Sequence, residues 1–293
     1  VTAAPSVPSH RLLTLVRGIA FIIGSVITFW VYALCRGPFA RWRRPIQVGW
    51  CRGCLRLMGL RLKTFGTPAP DRQVLYVGNH VSYLDIPVLS RLIAGTFIAK
   101  AEVASWPLFG FAARITGTVF VNRVSAEAMA QRQALVARLA AGEHLILFPE
   151  GTSTDGSRVA PFKSSLFGLA ENPALRETLV IQPFSLAYTR AHDGTPLVGP
   201  LRALYCWFGE GTLLPHICRV LGMRGGEVEV RFHPPIPAAA GNRKVLARLA
   251  GEAVQAGVQA SFEPLLREAG GEAAAGAAAA PSPLTRAGDA ASA

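Results

Sequence analysis

Asn79-His80-Val81-Ser82-Tyr83-Leu84-Asp85 sets an imidazole and a carboxylate with four residues between them, just past the apolar run 74–77. A histidine near neutrality is the ordinary base for taking a proton from a hydroxyl, and a buried carboxylate can fix its tautomer and steady the imidazolium that forms. The pair is half of a serine-hydrolase triad with the nucleophile left out. An attacking hydroxyl would then belong to a substrate, and the chemistry would be direct acyl transfer. The same residues also fit a structural device, because Ser82-x-x-Asp85 ahead of an apolar stretch is a capping-box pattern. Five positions turn a regular helix by about 500°, so His80 and Asp85 share no face of one helix. They meet only if His80 lies in the turn before a helix that starts near Ser82, with Pro87 tolerated in its first turn. Capping and orienting are therefore compatible.

Further signals of this kind follow. Phe148-Pro149-Glu150-Gly151-Thr152-Ser153 leaves the end of an apolar run, where Gly151 permits a tight turn with exposed N–H groups and Thr152 and Ser153 add hydroxyls. The loop could hold an oxyanion, and an ionised Glu150 could accept a substrate hydroxyl; a plain strand-to-helix turn is the alternative. Val119-Phe120-Val121-Asn122-Arg123 puts a guanidinium past another strand end, where it could fork onto a phosphate. Val180-Ile181-Gln182-Pro183 is an apolar strand broken by proline, which reads as an edge or a bend. Lys100 and Lys163 are two of only four lysines among 30 basic residues. Each follows a strand or loop, and each is equally compatible with a solvated surface.

The elements that must position these groups are α/β in pattern. Runs 74–77, 96–99, 118–121, 145–148, 179–187 and 227–232 read as strands, and 103–115, 126–141 and 164–170 as helices between them. This alternation predicts a mixed, largely parallel central sheet flanked by helices, with sites at strand ends. Residues 241–267 read as a C-terminal helix, and 268–293, rich in Ala, Gly and Pro, as a disordered tail.

The formal charge of +12 points to anionic partners. Nucleic acid is disfavoured, because the arginines are dispersed and no zinc-finger, RNA-binding or basic-zipper signature occurs. Five cysteines, with Cys51-Arg-Gly-Cys54 lacking partner ligands at zinc spacing, read as packed free thiols, and no metal site is expected. Residues 18–35 carry no charge, and 12–16 extend them if Arg17 snorkels. Arg36, Arg41, Arg43 and Arg44 follow at once. Residues 12–45 are thus expected to form a membrane helix, spanning or shallow, with a basic interfacial segment, after an N-terminal tail at 1–11. The positive-inside rule leaves the rest in the cytoplasm, against a bacterial-type inner membrane.

Taken in order, Asn-His-x4-Asp, Phe-Val-Asn-Arg, Phe-Pro-Glu-Gly-Thr-Ser and Val-Ile-Gln-Pro resemble the four motifs of the glycerolipid acyltransferases of the 1-acylglycerol-3-phosphate acyltransferase (PlsC) type. The resemblance covers about residues 45 to 240 and implies an acyltransferase domain at 46–240. It implies His80 as base and Asp85 as its partner, and substrate contacts at Arg123, Glu150, Gly151, Thr152, Asn79, Lys100 and Lys163. It also implies an acyl-donor side supported by Ile181 and Pro183. The expected reaction moves an acyl chain from acyl-CoA or acyl carrier protein to a lysolipid hydroxyl, first of all that of lysophosphatidate, with no cofactor. The segment 151–168, with Leu213-Leu-Pro-His216, is similar to bacterial members that acylate lyso-ornithine lipid, the alternative acceptor. Two rivals remain: a covalent serine hydrolase, for which no Gly-x-Ser-x-Gly elbow occurs, and a non-catalytic, membrane-anchored basic lipid-binding protein. The oligomeric state is not legible.

Overall fold

The computed structural model describes residues 10–71, 73–105, 110, 113, 118–121, 125–209 and 212–279. In chain order the helices are α1 (Arg11–Leu34), α2 (Arg43–Leu57), α3 (Asp85–Leu92), α4 (Ser125–Ala140), α5 (Leu213–Gly222) and α6 (Arg243–Ala279). The strands are β1 (Leu60–Phe65), β2 (Val74–Gly78), β3 (Gly95–Lys100), β4 (Val119–Val121), β5 (His144–Leu147), β6 (Val180–Ala191), β7 (Gly226–Phe232) and β8 (Ile236–Pro237).

They form one sheet in the order β1-β7-β6-β2-β5-β3-β4, with β8 also pairing β6. The run from β6 to β4 is parallel, β7 is antiparallel to β6, and β1 is parallel to β7. The mixed, largely parallel sheet expected from the alternation is present. Alternate residues of the central strands bury on opposite faces, as strand geometry requires. Tyr76, Phe97 and Ile146 join the core under α2 and α3, while Leu75, Ile98 and Leu145 join the core under α4 and α6. Burying each such side chain contributes about 1.5–3 kcal/mol.

Three differences from the expected elements have physical causes. The strand β1, Leu-Arg-Leu-Lys-Thr-Phe, is not among the expected strands; it carries two basic residues and only its first residue is buried, so it lacks the apolar run of a central strand. Pro183 lies inside β6, a central strand, and not at an edge. It sits where the neighbour of β6 changes from β8, paired at 180–181, to β7, paired from Phe184 onward, so its missing N–H costs little. The helix α6 runs to Ala279, into the stretch expected to be disordered. Ala and Glu there are strong helix formers, and its earlier turns bury Leu246, Ala250, Val254, Val258 and Phe262 in a four-residue stripe. Most of the helix expected at 103–115 lies outside the described residues.

The helix α1 is the one helix among the described residues long and apolar enough to cross a membrane. It does not stand free of the domain. His10 N–H donates to Gly222 O, Thr14 Oγ1 to Cys218 O, Arg17 Nη1 to Met223 O at 2.6 Å, and Trp50 Nε1 to Ser25 Oγ. Arg17 therefore caps the last carbonyls of α5 instead of snorkelling. Phe29 and Tyr32 are buried on this face, while Leu12, Ile19, Ile23, Ile27 and Trp30 are at least half exposed on the other.

Candidate active site

The strands β2 and β5 are parallel neighbours with Val77 opposite Leu147, so the loops that follow them emerge side by side. Three residues beyond each register point stand His80 and Glu150. In the first loop His80 Nδ1 and Asp85 Oδ2 are 2.8 Å apart. The same oxygen accepts the backbone N–H groups of Val81 and Ser82 at 2.9 and 3.0 Å. Asp85 is the first residue of α3, so the carboxylate fastens the turn that enters the helix and grips the imidazole with one atom. Its second oxygen accepts the Tyr188 hydroxyl at 3.1 Å. Asp85 is fully buried, and these four donors are what keep a buried carboxylate tolerable.

Nδ1–H being committed to Asp85, the neutral ring carries its lone pair on Nε2. No protein partner for Nε2 occurs among the described residues, and the His80 side chain is 24% exposed. The ring lies on Phe148, centroids 4.2 Å apart and planes 16° from parallel. An oriented imidazole with one open nitrogen can take a proton from a hydroxyl and return it to a leaving group.

Glu150 is buried, and each of its oxygens is engaged with the backbone. Its Oε1 accepts the His80 N–H and its Oε2 the Ala160 N–H, both at 2.8 Å. His80 O in turn accepts the Thr154 N–H at 2.9 Å. The structure gives Glu150 a task other than the expected hydroxyl contact: the carboxylate clamps the backbone of His80 to the loop 151–163. Burial pushes the Glu150 carboxyl up to about 7, the two backbone hydrogen bonds opposing that rise.

Two cavities flank these loops. On the α2/α3 face of the sheet an apolar one of about 160 Å³ is walled by Phe21 and Phe29 of α1, Trp50 and Cys54 of α2, and Phe97 of β3. Burial lifts the Cys51 thiol on this wall to about 11 and the Cys54 thiol further, so both are inert packed groups, as expected. On the opposite face a basin of about 670 Å³ is lined by Phe148, Gly151 and the cations Lys100, Arg132 and Lys163. Ala99 lines both.

The expected site residues divide accordingly. His80, Asp85 and Glu150 come together at the two loops, and Gly151, Lys100 and Lys163 line the basin. Gly151 has φ 71°, a left-handed conformation that favours glycine, and Lys163 Nζ comes close to where a Cβ would stand. Its N–H donates to Phe148 O at 3.1 Å and is not free for an oxyanion. Thr152 is exposed on the same loop. Asn79 is corrected: buried, its side chain exchanges two 2.8 Å hydrogen bonds with the Leu186 backbone and lashes the end of β2 to β6. Ile181 and Pro183 are also buried in β6 and line neither cavity, so they support the site through the sheet. Arg123 lies outside the described residues. Tyr188 and Arg132 were missed, since a tyrosine within a strand and an arginine on a helix carry no signal of their own.

His216 is buried on α5. Its Nδ1 stands 3.1 Å from the Tyr83 hydroxyl, and burial pushes it down to about 4.

A family model described as Acyltransferase matches residues 62–187. The chain is 40% identical over 227 residues to a protein of Brucella abortus named lyso-ornithine lipid O-acyltransferase, covering 75% of this chain and 84% of that one. It is 38% identical over 133 residues to a 1-acyl-sn-glycerol-3-phosphate acyltransferase of Neisseria meningitidis, covering 44% and 51%. The crystal structure of the PlsC acyltransferase of Thermotoga maritima has the same fold, with a TM-score of 0.62 and 19% identity over 85% of this chain and 94% of that one. With the likeness running through the loops that carry His80, Asp85 and Glu150, the chain belongs to the glycerolipid acyltransferase family and is an acyltransferase acting on lysolipids.

Proposed function

We propose that this chain is a lyso-ornithine lipid O-acyltransferase, and that His80 is its general base. The observation that carries the acceptor is the extent of likeness: it spans most of the lyso-ornithine lipid enzyme and about half of the lysophosphatidate enzyme. Lysophosphatidate, the acceptor expected first from the motifs, yields to the alternative on that ground.

In the proposed reaction His80 Nε2 takes the proton of the acceptor hydroxyl as its oxygen attacks the thioester carbonyl carbon. The C–S bond of the tetrahedral intermediate then breaks, and the imidazolium gives its proton to the departing thiolate. Asp85 holds Nδ1–H throughout and offsets the transient charge. Bringing two substrates together is worth about 7–11 kcal/mol of the barrier in favourable cases. The chemistry asks for no metal or cofactor beyond the thioester donor, acyl-CoA or acyl carrier protein. The apolar cavity suits an acyl chain, and Lys100 and Lys163, with Arg123, suit the anionic parts of the substrates.

The reading extends to the membrane. One face of α1 is bonded to the domain and the other is apolar and exposed, so α1 lies along one leaflet instead of crossing it. Of the arginines after it, the exposed Arg36 and Arg41 face lipid headgroups, and the thioester donor sets the domain on the cytoplasmic side. The test offers purified protein labelled palmitoyl-CoA with lyso-ornithine lipid and lysophosphatidate side by side, products identified by mass. Ornithine lipid as the main product supports the reading; phosphatidate alone overturns it.

A further inference from the structure

Among the four motifs, none contains Arg132, which projects from α4 into the basic basin. Its Nη2 donates to Gly168 O. A Cβ placed on Gly168 would lie 3.3 Å from Arg132 Cζ and 3.4 and 3.5 Å from its two terminal nitrogens. Three nearly equal distances mean that the guanidinium lies face down on Gly168, a bed that any side chain would crowd. A guanidinium bedded by its face and one N–H keeps its other in-plane donors for a ligand. Lys100 and Lys163 line the same basin, and among the described residues no carboxylate side chain does. Neither they nor Arg132 form an ion pair among the described residues. Three unneutralised cations around an open basin favour an anion, and a flat guanidinium edge matches a planar one.

We propose that Arg132 is the headgroup-selecting residue of this enzyme, forking the carboxylate of an amino-acid headgroup while Lys100 and Lys163 supply the surrounding field. The inference rests on the lysolipid acyltransferase reading above and adds where the acceptor's headgroup is recognised. An ornithine headgroup carries such a carboxylate, whereas the donors bring phosphates; the test must tell them apart.

The experiment measures KM and kcat of the full chain in detergent micelles with lyso-ornithine lipid, with the same lipid bearing its carboxyl as a primary amide, and with palmitoyl-CoA varied separately. Arg132→Ala is expected to raise the KM for the acid acceptor about 10- to 100-fold, the range of a lost charge-assisted fork, with kcat within about threefold. The wild type should show a similar loss on the amide acceptor, and Arg132→Ala no further loss there. Gly168→Ala, which keeps the charge but crowds its bed, should raise the acceptor KM in the same direction. A rise in donor KM with acceptor KM unmoved would assign the basin to the donor and overturn the proposal, as would equal losses on acid and amide acceptors. A wild type that turns over lysophosphatidate but not lyso-ornithine lipid sinks the acceptor reading and this inference with it. A wild type active on lyso-ornithine lipid beside an Arg132→Ala of unchanged KM sinks this inference alone.

Discussion

The backbone N–H of His80 donates to Glu150 Oε1 at 2.8 Å, so the residue proposed as base is clamped through its main chain by a carboxylate from the neighbouring strand's loop. Glu150→Gln keeps the shape but offers one acceptor for two N–H groups, which sets an amide donor against a backbone donor. Its kcat should fall by about 10-fold or more with little change in KM.

Glu150 also marks the stability curve. Its carboxyl is raised from 4.5 to about 7 in the folded chain, so between those values the folded state holds a proton the unfolded state has shed. Stability is then lost as pH rises through that window. Melting temperatures at pH 4.5 and 7.5 should fall by several degrees more in the wild type than in Glu150→Gln; equal falls would remove this assignment.

Tyr188 completes the carboxylate. Its hydroxyl meets Asp85 Oδ1, and its ring stacks on Tyr205, centroids 5.5 Å apart. Tyr188→Phe should lower kcat by about 3- to 30-fold, leave both KM values alone and broaden the low-field proton resonance of His80 Nδ1–H. Wild-type kcat together with an unchanged resonance would contradict a positioning role.

The His80–Asp85 pair and its neighbouring loop were legible because the chemistry proposed for them needs particular residue types at strand ends. His80, Asp85 and Glu150 were found that way, and so was the sheet that aligns them. What each group does was less legible. Glu150 and Asn79 looked like substrate ligands, yet both are buried and spend their polar atoms on backbone groups far along the chain, a pairing set by strand order. Pro183 read as an edge because the change of neighbours along β6 is a property of the whole sheet. Arg132 depends on a glycine 36 positions away, a relationship that local patterns do not carry.

The apolar cavity makes a prediction about chain length. Cys54 is buried on its wall, and Cys54→Phe should shift donor preference toward shorter chains, at about 1–3 kcal/mol of overpacking. Competition among lauroyl, palmitoyl and stearoyl donors, read by product mass, tests this. An unchanged product profile would mean that the donor chain lies elsewhere.

The exposed face of α1 can be altered without touching the site. Ile19 and Ile23 are 50% and 54% exposed. Ile19→Glu with Ile23→Glu should lose flotation with phosphatidylethanolamine–phosphatidylglycerol vesicles and keep turnover of detergent-dispersed acceptor. Undiminished flotation would contradict contact of this face with lipid.

Everything proposed for the reaction passes through Nε2 of His80. The direct measurement is single-turnover formation of ornithine lipid from labelled palmitoyl donor by His80→Ala, with its melting temperature checked against the wild type. The account predicts a folded protein slowed on the order of 10²- to 10⁴-fold, with no acyl-enzyme adduct in either protein. Retention of more than a few per cent of wild-type turnover, or a covalent acyl adduct on the wild type, would contradict it.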